Sequence, residues 1–145
     1  MTNILIFRTD RIGDLIFTCP TIITIKKYFI DSKITLVTSR KNTLFAENLG
    51  IFDTILEFPK NNIYKKINFI IRLSKIKFNY VFIFDGKERS ILSSIFIKSQ
   101  YKIALTPKIK LYYKIFNIKF FEDNNQNNLN EIFQTMLLHS KINTK

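Results

Sequence analysis

The densest group of reactive side chains lies in one short stretch, Arg8-Thr9-Asp10-Arg11-Ile12-Gly13-Asp14, with two arginines, two carboxylates and a glycine in seven residues. Gly13 can supply a positive φ or let a ligand approach the backbone closely. Asp14 falls at or near the start of a helix, where the dipole favours its negative charge and the carboxylate can accept a proton as a general base. The alternative reading makes Asp14 only a helix N-cap and Arg8 and Arg11 solvated loop charges. Arg89 and Ser90 sit beside the turn Asp85-Gly86 and form a second polar cluster. His139 is the only histidine and Cys19 the only cysteine. A zinc site therefore lacks ligands, and an intramolecular disulfide is impossible. Cys19, beside Pro20, reads as a small buried residue, and His139 as a helix-end or surface group.

Those residues need elements to hold them. Ile4 to Phe7 is a short apolar run expected to form a buried strand, followed by a polar loop from Arg8 to Gly13. A helix is expected from Asp14 to about Phe29, with Pro20 either kinking it or occupying the first turn of its main part. Ile34 to Val37 reads as a second strand, Asn42 to Leu49 as a helix ended by Gly50, and Thr54 to Phe58 as a third strand stopped by Pro59. Asn62 to Lys77 spaces isoleucines at helical intervals with lysines between them, an amphipathic helix. Tyr80 to Phe84 has the unbroken apolar character of a central parallel strand, and a helix over Glu88 to Ile97 follows. Tyr101 to Ala104 is a fifth strand; Leu111 to Phe121 shows no clear period. A polar loop from Glu122 to Asn128 and a helix from Leu129 to about Ser140 complete the reading.

Strands alternating with helices four or five times predict an α/β fold, a Rossmann-like parallel sheet with helices on both faces. Ligands in such sheets bind beyond the carboxyl ends of the strands, where strand order reverses. The loops Arg8 to Asp14, Thr38 to Lys41 and Asp85 to Ser90 are the places to look. There is no G-x-G-x-x-G after the first strand and no G-x-x-x-x-G-K-[ST] motif, which argues against dinucleotide dehydrogenases and P-loop enzymes. The acidic pair and phospho-acceptor aspartate of a response-regulator receiver are also missing.

The chain has 145 residues, 46% of them hydrophobic, which predicts one ordinary globular domain. No apolar stretch reaches the roughly 18 residues of a membrane span, and no secretory leader is read at the N-terminus. The cytoplasm is the expected location. The formal net charge of +12 points to an anionic partner: nucleic acid, a phosphorylated small molecule or an acidic membrane face. The excess is mostly lysine, 18 Lys against 5 Arg, accompanied by many Ile, Asn and Phe. An AT-biased coding sequence would produce the same profile, and nucleic-acid readers concentrate arginine or aromatics on one surface. Nucleic acid is accordingly not the expected partner. Phenylalanines at helix and strand spacing read as core; the alternative is that some exposed ones mark a docking face.

The segment 4–20, ILIFRTDRIGDLIFTCP, resembles the N-terminal signature of glycosyltransferase family 9, the ADP-heptose:lipopolysaccharide heptosyltransferases and their relatives. Lys33 to Ser39, KITLVTS, is similar to the family's second strand, and Gly86 with Arg89-Ser90 to its G-x-x-R-S segment. The resemblance implies a GT-B architecture of two Rossmann-like domains, one binding the acceptor and the other the nucleotide-sugar donor. Transfer between them inverts the anomeric centre without an essential metal or other cofactor. It makes Asp14 the catalytic base and places Arg8, Thr9, Asp10, Arg11, Gly13, Arg89 and Ser90 around the acceptor, an anionic sugar or glycolipid of the lipopolysaccharide-core kind. The donor would be a nucleotide sugar such as ADP-heptose. Where the family often has an acidic residue three positions before the second-loop glycine, this chain has Ile83, with Asp85 next to Gly86 instead.

On this reading residues 1–145 form a single acceptor-side domain without the donor-binding half. A separate donor-binding chain and peripheral contact with the inner membrane, at its cytoplasmic face, are the implied partners. The alternative is a non-catalytic, truncated relative, a basic module that binds acidic glycolipid or nucleic acid.

Overall fold

Strand β1 (Thr2–Arg8) buries Ile4, Leu5, Ile6 and Phe7 completely, which requires that both faces of its sheet be covered. The computed structural model, which describes residues 1–122, shows how. After β1 come α1 (Ile12–Tyr28), β2 (Ser32–Thr38), α2 (Arg40–Leu49), β3 (Thr54–Glu57), α3 (Ile63–Ser74), β4 (Phe78–Ile83), α4 (Glu88–Ile95) and β5 (Ser99–Thr106). A 3-10 helix (Leu111–Ile115) and β6 (Lys119–Glu122) follow. The helix expected over 129–140, with His139 on it, lies outside the described residues, as does all of the expected polar loop beyond Glu122.

The six strands form one sheet in the order β3-β2-β1-β4-β5-β6, and every neighbouring pair is parallel. Ile4 stands beside Ile34 on one side and Tyr80 on the other, so the centre of the sheet is β-branched and aromatic. On one face Ile4, Ile6, Ile34 and Leu36 pack with Leu15, Ile22 and Ile25 of α1 and Ala46 of α2. On the other, Leu5, Phe7 and Val37 pack with Leu73 of α3, Ile91 of α4 and Tyr113 of the 3-10 helix. Much of the aromatic content is used here: Tyr80 stacks near Phe82 and Tyr101, and Tyr113 near Phe120 with ring centres 4.6 Å apart.

Helix ends follow local chemistry. The Asn62 side chain accepts hydrogen bonds from the backbone N–H groups of Tyr64 and Lys65 at 2.9 and 3.2 Å, capping α3. Gly50 ends α2 at φ 62°, the left-handed conformation glycine adopts without steric cost. Pro20 lies within α1 as its ninth residue, so it does not open the main part of that helix, and Thr18, Cys19 and Thr24 donate side-chain hydrogen bonds to carbonyls four residues back around it. The strand β6 escapes the sequence reading because it is four residues long, at the sheet edge, and half-buried at best.

Candidate functional site

The strand order sets the location. From β1 the chain winds outward through β2 and β3, then returns to β4 and winds the other way, so the order reverses between β1 and β4. The loops leaving those two strands diverge there and open a crevice. Residues about 76 apart in sequence become neighbours, as when the Phe84 N–H donates to the Phe7 carbonyl at 3.0 Å.

Arg8, the last residue of β1, is only 4% exposed. Its guanidinium donates from Nη1 to the Phe84 carbonyl and from Nη2 to the Asp14 carbonyl at 3.0 Å. Nε lies 3.2 Å from Asp10 Oδ1, and Nη2 lies 3.9 Å from Asp14 Oδ1. The Asp10 contact is an ion pair without a directed hydrogen bond; among the described residues neither atom has a hydrogen-bond partner. Arg8 is thus neither a solvated loop charge nor on the main cleft wall, but a buried cation holding the ends of β1 and β4 to the first turn of α1. It borders a small cavity of about 150 Å³ shared with Asp14, Gly86 and Pro107.

Burial pushes the Asp10 carboxyl up from 3.8 to about 6, against the pull of Arg8 and helped by the negative charges of Asp14 and Asp85. Asn42, buried at the start of α2, donates from Nδ2 to the Asp10 carbonyl at 3.0 Å, and Thr38 Oγ1 donates to the Arg8 carbonyl at 2.8 Å. The first loop is therefore fastened from the β2 side as well.

Asp14 is the third residue of α1. It is not the cap: that position belongs to Arg11, whose side chain makes no capping bond. The Asp14 side chain remains 42% exposed and faces both the small cavity and a larger cleft. Gly13 is helical rather than at positive φ, and a Cβ built there meets nothing within 4 Å, which leaves open backbone beside Asp14.

Asp85 ties the two loops together. Its Oδ2 accepts from the Thr9 N–H at 3.2 Å, Thr9 Oγ1 at 2.6 Å and Ser90 Oγ at 2.7 Å, while Oδ1 accepts from the Lys87 N–H at 3.1 Å. Ser90 is fully buried, and its hydroxyl donates to Asp85 rather than standing open on the cleft wall. The carboxylate next to Gly86 is thus structural, linking loops where the expected position, Ile83, is core. Gly86 sits at φ +60°, and a Cβ there would come within 3.1 Å of the Leu105 carbonyl oxygen and of Pro107 Cδ. Arg89 donates from Nη2 to Thr9 Oγ1 at 2.9 Å, with its guanidinium 5.4 Å from the Phe58 ring centre.

The larger cleft has a volume of about 600 Å³, the scale of a small-molecule site. Thr9, Asp10 and Asp14 line it together with five cations, Arg11, Lys41, Lys60, Lys87 and Arg89. Lys60 and Lys87 were not singled out in the sequence, although each follows a strand's carboxyl end and adjoins a chain-turning residue, Pro59 or Gly86. Among the described residues no group of three or more His, Cys, Asp or Glu side chains is arranged to hold a metal ion.

No protein-family model and no curated protein matches this sequence. Solved structures do match its fold. A glycosyl transferase family 9 protein from Veillonella parvula superposes with a TM-score of 0.78 over 99% of this chain and 42% of its own, at 17% identity. The E. coli heptosyltransferase WaaC with ADP-2-deoxy-2-fluoro heptose gives 0.75 over 99% and 51%, also at 17% identity. With ADP, WaaC gives 0.72 over 94% and 48%, at 16% identity. The expected architecture is therefore the observed one: a Rossmann-like α/β domain with the fold of family 9 glycosyltransferases, spanning about half the length of those it matches.

Proposed function

We propose that this chain is the acceptor-binding, N-terminal half of an inverting glycosyltransferase, with Asp14 as general base. One observation carries the reading: an accessible carboxylate in the first turn of α1 faces a cleft rimmed by five cations. An acceptor hydroxyl beside Asp14 gives its proton to the carboxylate while its oxygen attacks the anomeric carbon of the donor. The bond from that carbon to the diphosphate breaks, and the nucleoside diphosphate leaves with the electron pair. The donor is taken to be an ADP-sugar held by a second domain, by likeness to the heptosyltransferase solved with ADP. Drawing on such a donor places the reaction in the cytoplasm. The cations suit an acceptor bearing carboxylates or phosphates, such as a lipopolysaccharide inner core. Their gathering around Asp10 and Asp14 favours a bounded ligand over indiscriminate polyanion binding.

The test supplies a donor-binding domain in trans and assays transfer to a phosphorylated core sugar. Asp14→Ala and Asp14→Asn are each expected to lower turnover by about 10²–10⁴-fold, the usual range for loss of a positioned base. Acceptor binding is expected to persist in Asp14→Asn. Full transfer by Asp14→Ala would remove the assigned role.

A further inference from the structure

Helix α3 has an apolar arc wider than the face it buries. Leu73 is buried in the core, and Phe69 and Ile70 are half-buried beside it. The adjoining line Ile63, Ile67 and Ile71, four residues apart and so one above another on the helix, stays 46–61% exposed, with Tyr64 at 76%. Along the segment that carries this strip the charge has one sign. From Pro59 to Lys77 the chain carries Lys60, Lys65, Lys66, Arg72, Lys75 and Lys77 and no acidic residue. All of these but Lys66 are exposed.

An exposed apolar line on a segment whose own charges are all cationic complements a surface that is negative at its face and apolar just beneath, which is an anionic bilayer. Apolar exposure alone does not make that match. The outer face of α1 exposes Ile16, Phe17 and Ile23, yet its only cations, Lys26 and Lys27, lie in the last turn. The placement of α3 adds a second argument, because Lys60, which lines the cleft, lies just ahead of its first turn. At 12 residues α3 is too short to span a bilayer but long enough to lie along one.

We propose that α3 is an interfacial helix that docks this chain onto an anionic lipid surface, with Ile63, Tyr64, Ile67 and Ile71 entering the headgroup layer and the flanking lysines pairing with lipid phosphates. Docking of this kind brings the cleft mouth toward the headgroups. It is independent of the transfer reading, since binding to lipid requires neither acceptor nor donor.

Flotation of the full chain with phosphatidylglycerol/phosphatidylcholine vesicles, compared with phosphatidylcholine alone, tests it. Binding is expected to the anionic vesicles, to fall steeply with salt, and to be nearly absent on the neutral ones. Ile63→Ser/Ile67→Ser is expected to weaken partitioning by about tenfold or more, since each loses a buried aliphatic group. Lys65→Glu/Lys75→Glu is expected to do the same by charge, and Phe17→Ser on α1 to bind as wild type, with thermal unfolding confirming that each variant folds. Equal partitioning to both lipids, wild-type binding by the folded α3 variants, or loss with Phe17→Ser alone would overturn the proposal. So would concentration-dependent dimerisation without lipid that the α3 changes abolish, because the strip would then belong to a second copy.

Discussion

Replacing Asp10 by asparagine should change how stability depends on pH. The carboxyl is only 16% exposed, and its folded-state value of about 6 stands above the 3.8 of an unperturbed aspartate. Between those values the folded chain keeps a proton that the unfolded chain has released. The contribution is thus fully present below about pH 4 and is lost as pH rises through about 6. A rise of roughly two pKa units corresponds to about 3 kcal/mol. Asparagine has the same outline and does not titrate, so the variant lacks this loss. Whatever Arg8 gains or loses from the new neighbour is nearly independent of pH and cancels in the comparison. Urea denaturation of wild type and Asp10→Asn at steps from pH 4 to 7 should show the asparagine variant gaining on wild type by about 2–2.5 kcal/mol across that window, most of the full effect. Parallel stability profiles would refute the reasoning, because they would mean that the Asp10 carboxylate is ionised in the folded state at no cost.

Other perturbations test the scaffold. Gly86→Ala should destabilise by about 2–3 kcal/mol, combining a left-handed alanine with contacts to the Leu105 carbonyl and Pro107 that are too close. Gly13→Ala, helical and facing open space, should instead stabilise by about 0.5–1 kcal/mol in the same denaturant assay. Asp85→Asn should cost about 2–3 kcal/mol and speed hydrogen exchange at the Thr9 and Lys87 amides, since both donate to that carboxylate. Arg8→Ala should cost about 3–5 kcal/mol by leaving buried Asp10 without its cation, whereas Arg11→Ala should change stability by less than about 0.5 kcal/mol and show its effect in anionic-ligand affinity.

The contrast between Arg8 and Arg11 marks how far the sequence could be read. Both stand in one polar loop, and residue type and spacing give them the same role. Only the return of β4 beside β1 puts the Phe84 carbonyl against Arg8 and encloses it, and that contact joins residues 76 apart. The alternation of strands and helices was legible because buried parallel strands are continuous apolar runs, and because Gly50, Pro59 and Asn62 punctuate them. The place of Asp14 at a strand-to-helix turn was legible for the same local reason, a polar loop with a glycine between an apolar run and a helical pattern. The bond from Ser90 to Asp85 was not legible, because a serine that faces a cleft and one that orients a carboxylate look alike in one dimension. The 3-10 helix and β6 were missed because five and four residues are too few to show a period.

The opposite signs at the site follow from this division of positions. Asp10, Asp14 and Asp85 converge near one buried cation, and each carboxylate taken out of water raises the cost of the next, as the elevated Asp10 shows. Arg8 offsets part of that cost from below, at a fixed position set by two backbone carbonyls. Arg11, Lys41, Lys60, Lys87 and Arg89 line the open cleft with Asp10 and Asp14, where an anionic ligand would meet them. A ligand that brings negative charge into the cleft adds to the repulsion on Asp14 unless these five cations neutralise it. A site that holds both an accessible carboxylate and an anionic ligand therefore needs more positive charge at its rim than the buried arginine can supply. On the proposed reading, the cations of the rim would meet the negative charge of such a ligand beside Asp14.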